Sequence, residues 1–563
     1  MGATLPKPVE STVVERHALR EFTVGVAEMN GWRNNMEDAH IVTASDEWGV
    51  FGVFDGHGGD ACSSFVATRL KENIDRKGCP KDEAAIKKLL LDIDKEFLDS
   101  EQTSGSTGTM CIVNKASKPG GKHELLVANV GDSRVLLGRR DGSIIDGGGT
   151  DKGLTVDHKP DHPSERERIV RCGGTVECKE GNVARVNGEL AVSRAFGDAE
   201  HKKTGGPGPE DRPVTADPEC GRFTCDDGDF ILLVCDGVSE GNFHNPEVVS
   251  FVAEMLREGM DPGNAARAVI QRALERDSKD NITCMLVLLE GSADGSQSKE
   301  VEFSPGPITS LGHKGFRNAY AAMADRAAVS LGKAVEMRYD MVRTELSSGS
   351  SPSSGSSNGS PPREGWSVCC RRRPGSGIRV PDEALREELA KVGNPEGAKG
   401  SKERTEWFER WVRDLPEDPD SGPGGMGNLS SLMSSLGKGG GKGGPGGMGG
   451  LGAGPGSGMA PPQQQATEDK DEDDHTADGY SWSQRGEEIQ IYFKLPKLAN
   501  KKDVKVNFKA ASLRVEVHGE ALLDGPLAGK VEPDECTWCL PGNSELQVML
   551  TKREEKKWPQ LLT

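Results

Sequence analysis

The sequence has no run of eighteen apolar residues, so it offers no candidate membrane-spanning helix, and its start lacks the apolar core of a secretory signal. Positive charge is also scarce: 70 Lys and Arg stand against 89 Asp and Glu, for a net charge of -19. That balance argues against non-specific nucleic-acid binding, which needs clustered positive charge to displace counterions, and suits hard cations better. Only 34% of the 563 residues are apolar and 73 are Gly, so part of the chain cannot bury enough surface to offset its conformational entropy. The 13 Cys form no evenly spaced framework, and Cys536-Thr-Trp-Cys539 lacks the second pair or the nearby His that a zinc site requires. Idle thiols in a reducing compartment, cytoplasmic or nuclear, are expected. In MGATLP, Pro6 stands where an N-myristoylation pattern requires Ser or Thr, so acylation is not expected.

What is present divides the chain into blocks. Residues 1–19 read as a flexible start and 20–292 as one globular unit. Apolar stretches such as WGVFGVF (48–54), ELLVANV (124–130), SRVLLG (133–138), DFILLVC (229–235) and ITCMLVLL (282–289) are bounded by Gly, Asp or Asn and predict strands. Apolar spacing of three and four predicts a helix over 82–98 with Asp82 as N-cap, and Ser164 to Glu167 fit a capping box. Helices come in blocks rather than after every strand. The expected fold class is therefore α+β, a central antiparallel β-sandwich flanked by helices. Residues 293–346 read as an extension with one helix at about 315–346. Residues 347–478 read as a mostly disordered linker, Gly-rich and then acidic, interrupted by helical stretches at 382–392 and 403–413. From 479 to 563 the strands IQIYFKL, VKVNF, LRVEV and LQVML alternate apolar and polar residues, which predicts a separate small all-β sandwich.

Asp is disfavoured in strands, yet in the first block it recurs at their ends. Glu37-Asp38, Asp55-Gly56-His57, Cys235-Asp236-Gly237 and Asp280-Asn281 all flank apolar strands, whose ends can bring distant residues onto one rim. Carboxylates gathered there repel one another and raise each other's pKa unless cations neutralise them. Oxygen ligands with retained waters suit Mg²⁺ or Mn²⁺. A pair of such ions activates water and stabilises in-line phosphoryl displacement. Gly56, Gly58 and Gly59 permit a tight turn whose backbone carbonyl can approach an ion. His57 could then serve as a proton donor and Arg33 as a phosphate clamp. Spacing alone leaves a calcium-binding protein or a carbohydrate enzyme open.

The motifs GWRNNMEDAH (31–40), VFDGHGG (53–59), GSTGT (105–109), ANVGDSR (128–134), LTVDHKP (154–160), ERIVRCGG (167–174), LAVSRAFGD (190–198), CDGV (235–238) and DNIT (280–283) resemble the PPM, or protein phosphatase 2C, family in order and spacing. The resemblance implies a β-sandwich with outer helices that hydrolyses phosphoserine and phosphothreonine in proteins, acting as a monomer with two Mn²⁺ or Mg²⁺ ions. It implies that Asp55 bridges the ions and that the Gly56 carbonyl lies on one of them. Glu37, Asp236 and Asp280 would serve the other, Asp38 would order water, and Asp132 would help hold a weaker third ion. Arg33 becomes the phosphate ligand and His57 the general acid. Residues 161–189 become a variable flap, and Ser193, Arg194 and Asp198 a structural motif. One departure is Ser239-Glu240, where the family usually has an aromatic residue and Asp.

Residues 479–563 resemble the CS domain of NudC-type co-chaperones through YSWSQ (480–484), KKDVKV (501–506), SLRVEVHG (512–519), LLDGPLAGKVEPDECTW (522–538) and KKWPQLL (556–562). The resemblance implies a non-enzymatic module that docks a chaperone or client, with Trp482, Trp538 and Trp558 expected in its core rather than at an interface. The rival to an active phosphatase is an inactive scaffold that binds phosphoproteins.

Overall fold

The computed structural model describes residues 4–348 apart from 101, 117, 119, 179–182, 207, 240–241 and 292–296; residues 382–417; and residues 473–562 apart from 478–479, 486–487, 496–502, 534–535, 543–544 and 554–555. The Gly-rich tract, Glu240 and most of the acidic run lie outside the described residues. The chain divides into two compact units, Met1–Lys438 and Gly439–Thr563.

In the first unit the apolar stretches become two antiparallel sheets. One runs in the order Ser298–Ser304, Thr4–Ala18, Thr23–Arg33, Ile282–Leu288, Phe230–Val234, Arg134–Gly138. The other runs Glu219–Cys225, His123–Val130, Gly108–Asn114, Trp48–Phe54, Ala39–Ala44. Inner faces meet through Val24, Val26, Phe51, Val53, Ile231, Leu233, Met285 and Val287. The helices Asn245–Arg257 and Pro262–Glu275 cover the outer face of the first sheet, and Ala61–Lys77 and Glu83–Leu98 that of the second. Strands buried on both faces have no polar side to show, which is why FILLV and ITCMLVL read as unbroken apolar runs. The expected sandwich with outer helices is what forms.

Four boundaries differ from the sequence reading. The supposed flexible start is a strand, Thr4–Ala18, paired with Thr23–Arg33 at Thr4, at Val9 and continuously from Thr12, and with Ser298–Ser304 from Thr12 onward. Its prolines 6 and 8 lie where the register breaks between Thr4 and Val9, so the missing N–H groups interrupt no regular ladder. The extension therefore begins inside the sandwich rather than beyond it. Its single expected helix is two, Lys314–Arg326 and Leu331–Ser348, separated where Ala328 takes a left-handed φ of 55°. No Gly or Pro marks that break. The capping box at Ser164 is absent: the helix starts earlier, at Pro163, whose ring suits the first helical position.

The helices Asp382–Val392 and Lys402–Arg413 form as expected, but they do not float in a linker. Val392, Phe408 and Val412 join Tyr339, Phe316 and Tyr320 in one apolar cluster that reaches Leu5, Val9 and Val13 of the first strand. Arg338 grips Glu388 through two 2.8 Å bonds. Phe408 is fully buried against the rings of Tyr339 and Trp407. Phe408→Ala should therefore cost about 3–5 kcal/mol, visible as a lowered unfolding midpoint of the first unit in denaturant.

The second unit holds a five-stranded sheet, Asp473–Ala477, Tyr480–Arg485, Glu488–Lys494, Glu545–Thr551, Thr537–Gly542, and a three-stranded one, Val504–Lys509, Ser512–Val517, Glu520–Pro526. Ile489, Ile491, Val515 and Val548 fill its core. Trp482 and Trp558 are buried with them and Trp538 packs against them, as expected. Gln484 explains why two distant motifs belong together: its amide donates to the Trp558 carbonyl at 2.7 Å and accepts from the Trp558 N–H at 2.8 Å.

Candidate active site

The sandwich topology collects strand ends at one edge. Arg33 closes Thr23–Arg33, and Glu37-Asp38 precede Ala39–Ala44. Asp55 follows Trp48–Phe54, and Asp132 lies in the turn between His123–Val130 and Arg134–Gly138. Asp236 follows Phe230–Val234, and Asp280 precedes Ile282–Leu288. Both sheets contribute, so residues more than two hundred positions apart become neighbours.

Their charges act strongly on one another. Burial first, then Asp236, Asp38, Asp280 and Asp132, push the Asp55 carboxyl well above the usual carboxylate range. Burial, then Asp132 and Asp280, raise Asp236 to about 7. Asp38 is also raised to about 7, by burial and then by Asp280 and Glu28, against the opposing hydrogen bond from Thr283 Oγ1 at 2.6 Å. One oxygen each of Asp38, Asp132 and Asp236 is buried without a hydrogen-bond partner. Such orphaned acceptors are costly unless a cation faces them.

Among the described residues, no three His, Cys, Asp or Glu side chains form a group able to hold an ion by themselves. A cage of that kind is what zinc takes. Mg²⁺ and Mn²⁺ use one or two carboxylates each and keep several waters, so an open acidic rim suits them and a closed thiol or imidazole cage does not.

Glu37 lies beside the turn that follows Asp55. Burial raises its carboxyl, which accepts the Gly59 N–H and faces Arg33, His57 and Asp60. A Cβ on Gly56 would lie 2.3 Å from the Glu37 carbonyl, so only glycine lets the 56–59 turn pass that close. Glu37 is thus a close neighbour of Gly56 and His57. Arg33 pairs with Asp280 and keeps 43% of its side chain exposed, open toward a ligand. Lys159 donates to Asp132, placing a cation where a third ion was expected.

Asp198 has a larger part than the sequence reading gave it. His57 Nε2 lies 2.8 Å from Asp198 Oδ2. Burial disfavours the charged imidazole, but the bond and charge of Asp198, with Asp132 and Glu37, outweigh it and raise the His57 pKa. Asp198 itself is held at a φ of 51°, directly after Gly197 at 71°. Gly197 N–H donates to Asp94, which Lys202 neutralises from the buried side. A Cβ on Gly105 would meet both His57 Nε2 and Asp198 Oδ2 at 2.3 Å. The Gly-Asp dipeptide at 197–198 was the only local signal. Ser193 and Arg194, by contrast, bond Glu165 and are structural as expected.

Comparison with known proteins follows the same lines. Residues 22–282 match the model of the family described as Protein phosphatase 2C, and residues 478–552 match that of the CS domain. A Caenorhabditis elegans protein named as a probable protein phosphatase 2C is 34% identical over 315 residues, covering 52% of this chain and 82% of the relative. Mouse protein phosphatase 1B is 31% identical over 324 residues, 53% of this chain and 78% of the relative. The crystal structure of a Toxoplasma gondii phosphatase is 28% identical, covers 53% of this chain and 100% of that one, and has a TM-score of 0.45.

Proposed function

The chain belongs to the protein phosphatase 2C family, and on that premise we propose that residues 20–292 hydrolyse phosphoserine and phosphothreonine in proteins with two Mn²⁺ or Mg²⁺ ions as cofactor. The observation that supports the cofactor best is the crowding of Asp38, Asp55, Asp236 and Asp280, which the charges of Arg33, Lys159 and Arg326 beside them relieve only in part, with one buried carboxylate oxygen each of Asp38 and Asp236 left without a donor. Asp55, on which Asp236, Asp38, Asp280 and Asp132 all act, would serve both ions, Asp236 and Asp280 would hold one, and Glu37 with the Gly56 carbonyl the other. Asp132, with one oxygen paired to Lys159 and the other without a partner, would help hold a weaker third ion. Bound divalent ions there would lower the pKa of a water and offset charge developing on the phosphoryl group.

The chain's own groups supply the rest. Arg33 leaves Asp280 and clasps two phosphate oxygens with its planar fork. Asp38, fixed by Thr283, orients the attacking water. His57, its pKa raised and its ring aimed by Asp198, gives its proton to the departing Ser or Thr oxygen. Arg33→Ala should lower kcat/KM for a phosphothreonine peptide by roughly 10–100-fold, as loss of a charged hydrogen bond does, with most of the change in KM.

The reading is tested by hydrolysis of such a peptide with Mn²⁺ and after chelation. Phosphate release that needs the metal supports it. No release under either condition would favour the inactive scaffold that only binds phosphoproteins. For the second unit we propose docking of a chaperone or client, which predicts that the full chain captures a chaperone and a chain ending before residue 473 does not.

A further inference from the structure

We propose that Arg326, outside the span matched by the phosphatase model, is a positioning residue that holds the Glu37-Asp38 loop in the geometry divalent cations require. This rests on the proposed phosphatase reading for what the loop does. The loop is tied at four atoms. Asn281 Oδ1 accepts the Glu37 N–H at 2.9 Å, Ser63 Oγ donates to the Glu37 carbonyl at 2.5 Å, and Thr283 Oγ1 donates to the Asp38 carboxylate at 2.6 Å. These three come from the sandwich and its flanking helix. The fourth is Arg326 Nη2, which donates to the Asp38 carbonyl at 2.9 Å from the end of the helix Lys314–Arg326.

The same guanidinium is fixed by two further bonds of 3.1 Å to the buried Glu28 carboxylate. Glu28 in turn accepts from His40 Nδ1 at 2.8 Å, two residues beyond Asp38. With the Nε–Nη2 edge of the planar fork committed to Glu28, the direction of the remaining Nη2 N–H toward Asp38 is set. A lysine cannot make both sets of contacts. The extension also holds the other end of the loop: Met36, the residue before Glu37, is buried in the cluster formed by Phe316, Tyr320 and Met323 of the same helix. The helix thus grips the loop on both sides, through an apolar contact before Glu37 and a polar one after it. Outer groups that orient metal-binding side chains typically contribute 10–100-fold to metal affinity when removed.

The experiment uses the full chain as wild type, Arg326→Gln, Arg326→Lys and Val412→Ala. Val412 belongs to the same apolar cluster and supplies none of the four hydrogen bonds to the loop, so its variant reports what loosening the cluster does by itself. Mn²⁺ binding is measured by calorimetry without substrate, alongside p-nitrophenyl phosphate hydrolysis as a function of Mn²⁺ and the thermal midpoint of each protein. The expected result is a roughly tenfold weaker Mn²⁺ affinity for Arg326→Gln, with half-maximal hydrolysis moved to correspondingly higher Mn²⁺. Arg326→Lys recovers part of that affinity. Val412→Ala lowers the thermal midpoint and leaves Mn²⁺ affinity unchanged. Folded Arg326→Gln with wild-type affinity, or Val412→Ala weakening the metal as much, overturns the proposal. A wild type that binds Mn²⁺ yet hydrolyses no phosphate ester counts against the phosphatase reading instead, and the calorimetric comparison still decides Arg326.

Discussion

Asp55→Asn is expected to lower kcat for phosphothreonine hydrolysis by about 10³-fold, equivalent to about 4 kcal/mol of transition-state stabilisation, while making the metal-free protein more stable. The two effects have one cause. Asp55 stands among Asp236, Asp38, Asp280 and Asp132, and each raises the cost of its negative charge. Asparagine keeps the shape and removes the charge, so the fold loses a repulsive centre together with its function. An ordinary structural carboxylate would behave the other way, with loss of its partner bonds lowering stability.

The same repulsion fixes how the metal-free protein responds to pH. Asp38 and Asp236 have folded-state values near 7, above the 3.8 of an unperturbed Asp, so the folded state binds more protons than the unfolded state between those limits. Their contribution to stability is complete below pH 3.8 and lost as pH rises through 7. The paired Glu165 works oppositely, its folded value being lowered to about 2 by Arg194 and Arg168 against the cost of burial, but that loss falls below pH 4.5. Thermal midpoints of the chelated protein should therefore rise as pH falls from 8 to 5, and saturating Mn²⁺ should flatten the trend. A midpoint indifferent to pH in the chelated protein would contradict the repulsion.

His57→Ala should cost about 10²–10⁴-fold in kcat on a phosphothreonine peptide, the range for a positioned proton donor. The loss should shrink with an aryl phosphate, whose leaving group needs no proton. Asp198→Asn should give a smaller loss with a distinct signature. Removing the carboxylate withdraws what holds the His57 pKa up, so the imidazolium loses its proton at lower pH and the alkaline limb of the rate profile moves down. Were Asp198 merely structural, the rate would fall across the whole profile and the limb would stay in place.

The acidic rim was legible because Asp beside an apolar strand violates strand preference, and the motif order named the family those violations belong to. The two-layer sandwich was legible for a related reason: strands such as Phe230–Val234 are covered on both faces and show their apolarity without interruption. What stayed hidden depends on tertiary contact. Thr4–Ala18 carries two prolines and few apolar residues at its start, and becomes a strand through pairing with partners on both sides. His57 and Asp198 are 141 positions apart, and no periodicity links them. The grip of Arg326 on Asp38 spans 288 positions. The break at Ala328 uses a residue that ordinarily favours helix, so propensity pointed the wrong way.

Electron paramagnetic resonance during titration of Mn²⁺ into the metal-free full chain tests the central claim most directly, because spin coupling reports both the number of ions and their closeness. The account predicts two coupled ions per wild-type chain and loss of the coupled signal in Asp55→Asn. Uncoupled Mn²⁺, or a coupled pair that survives Asp55→Asn, would contradict it.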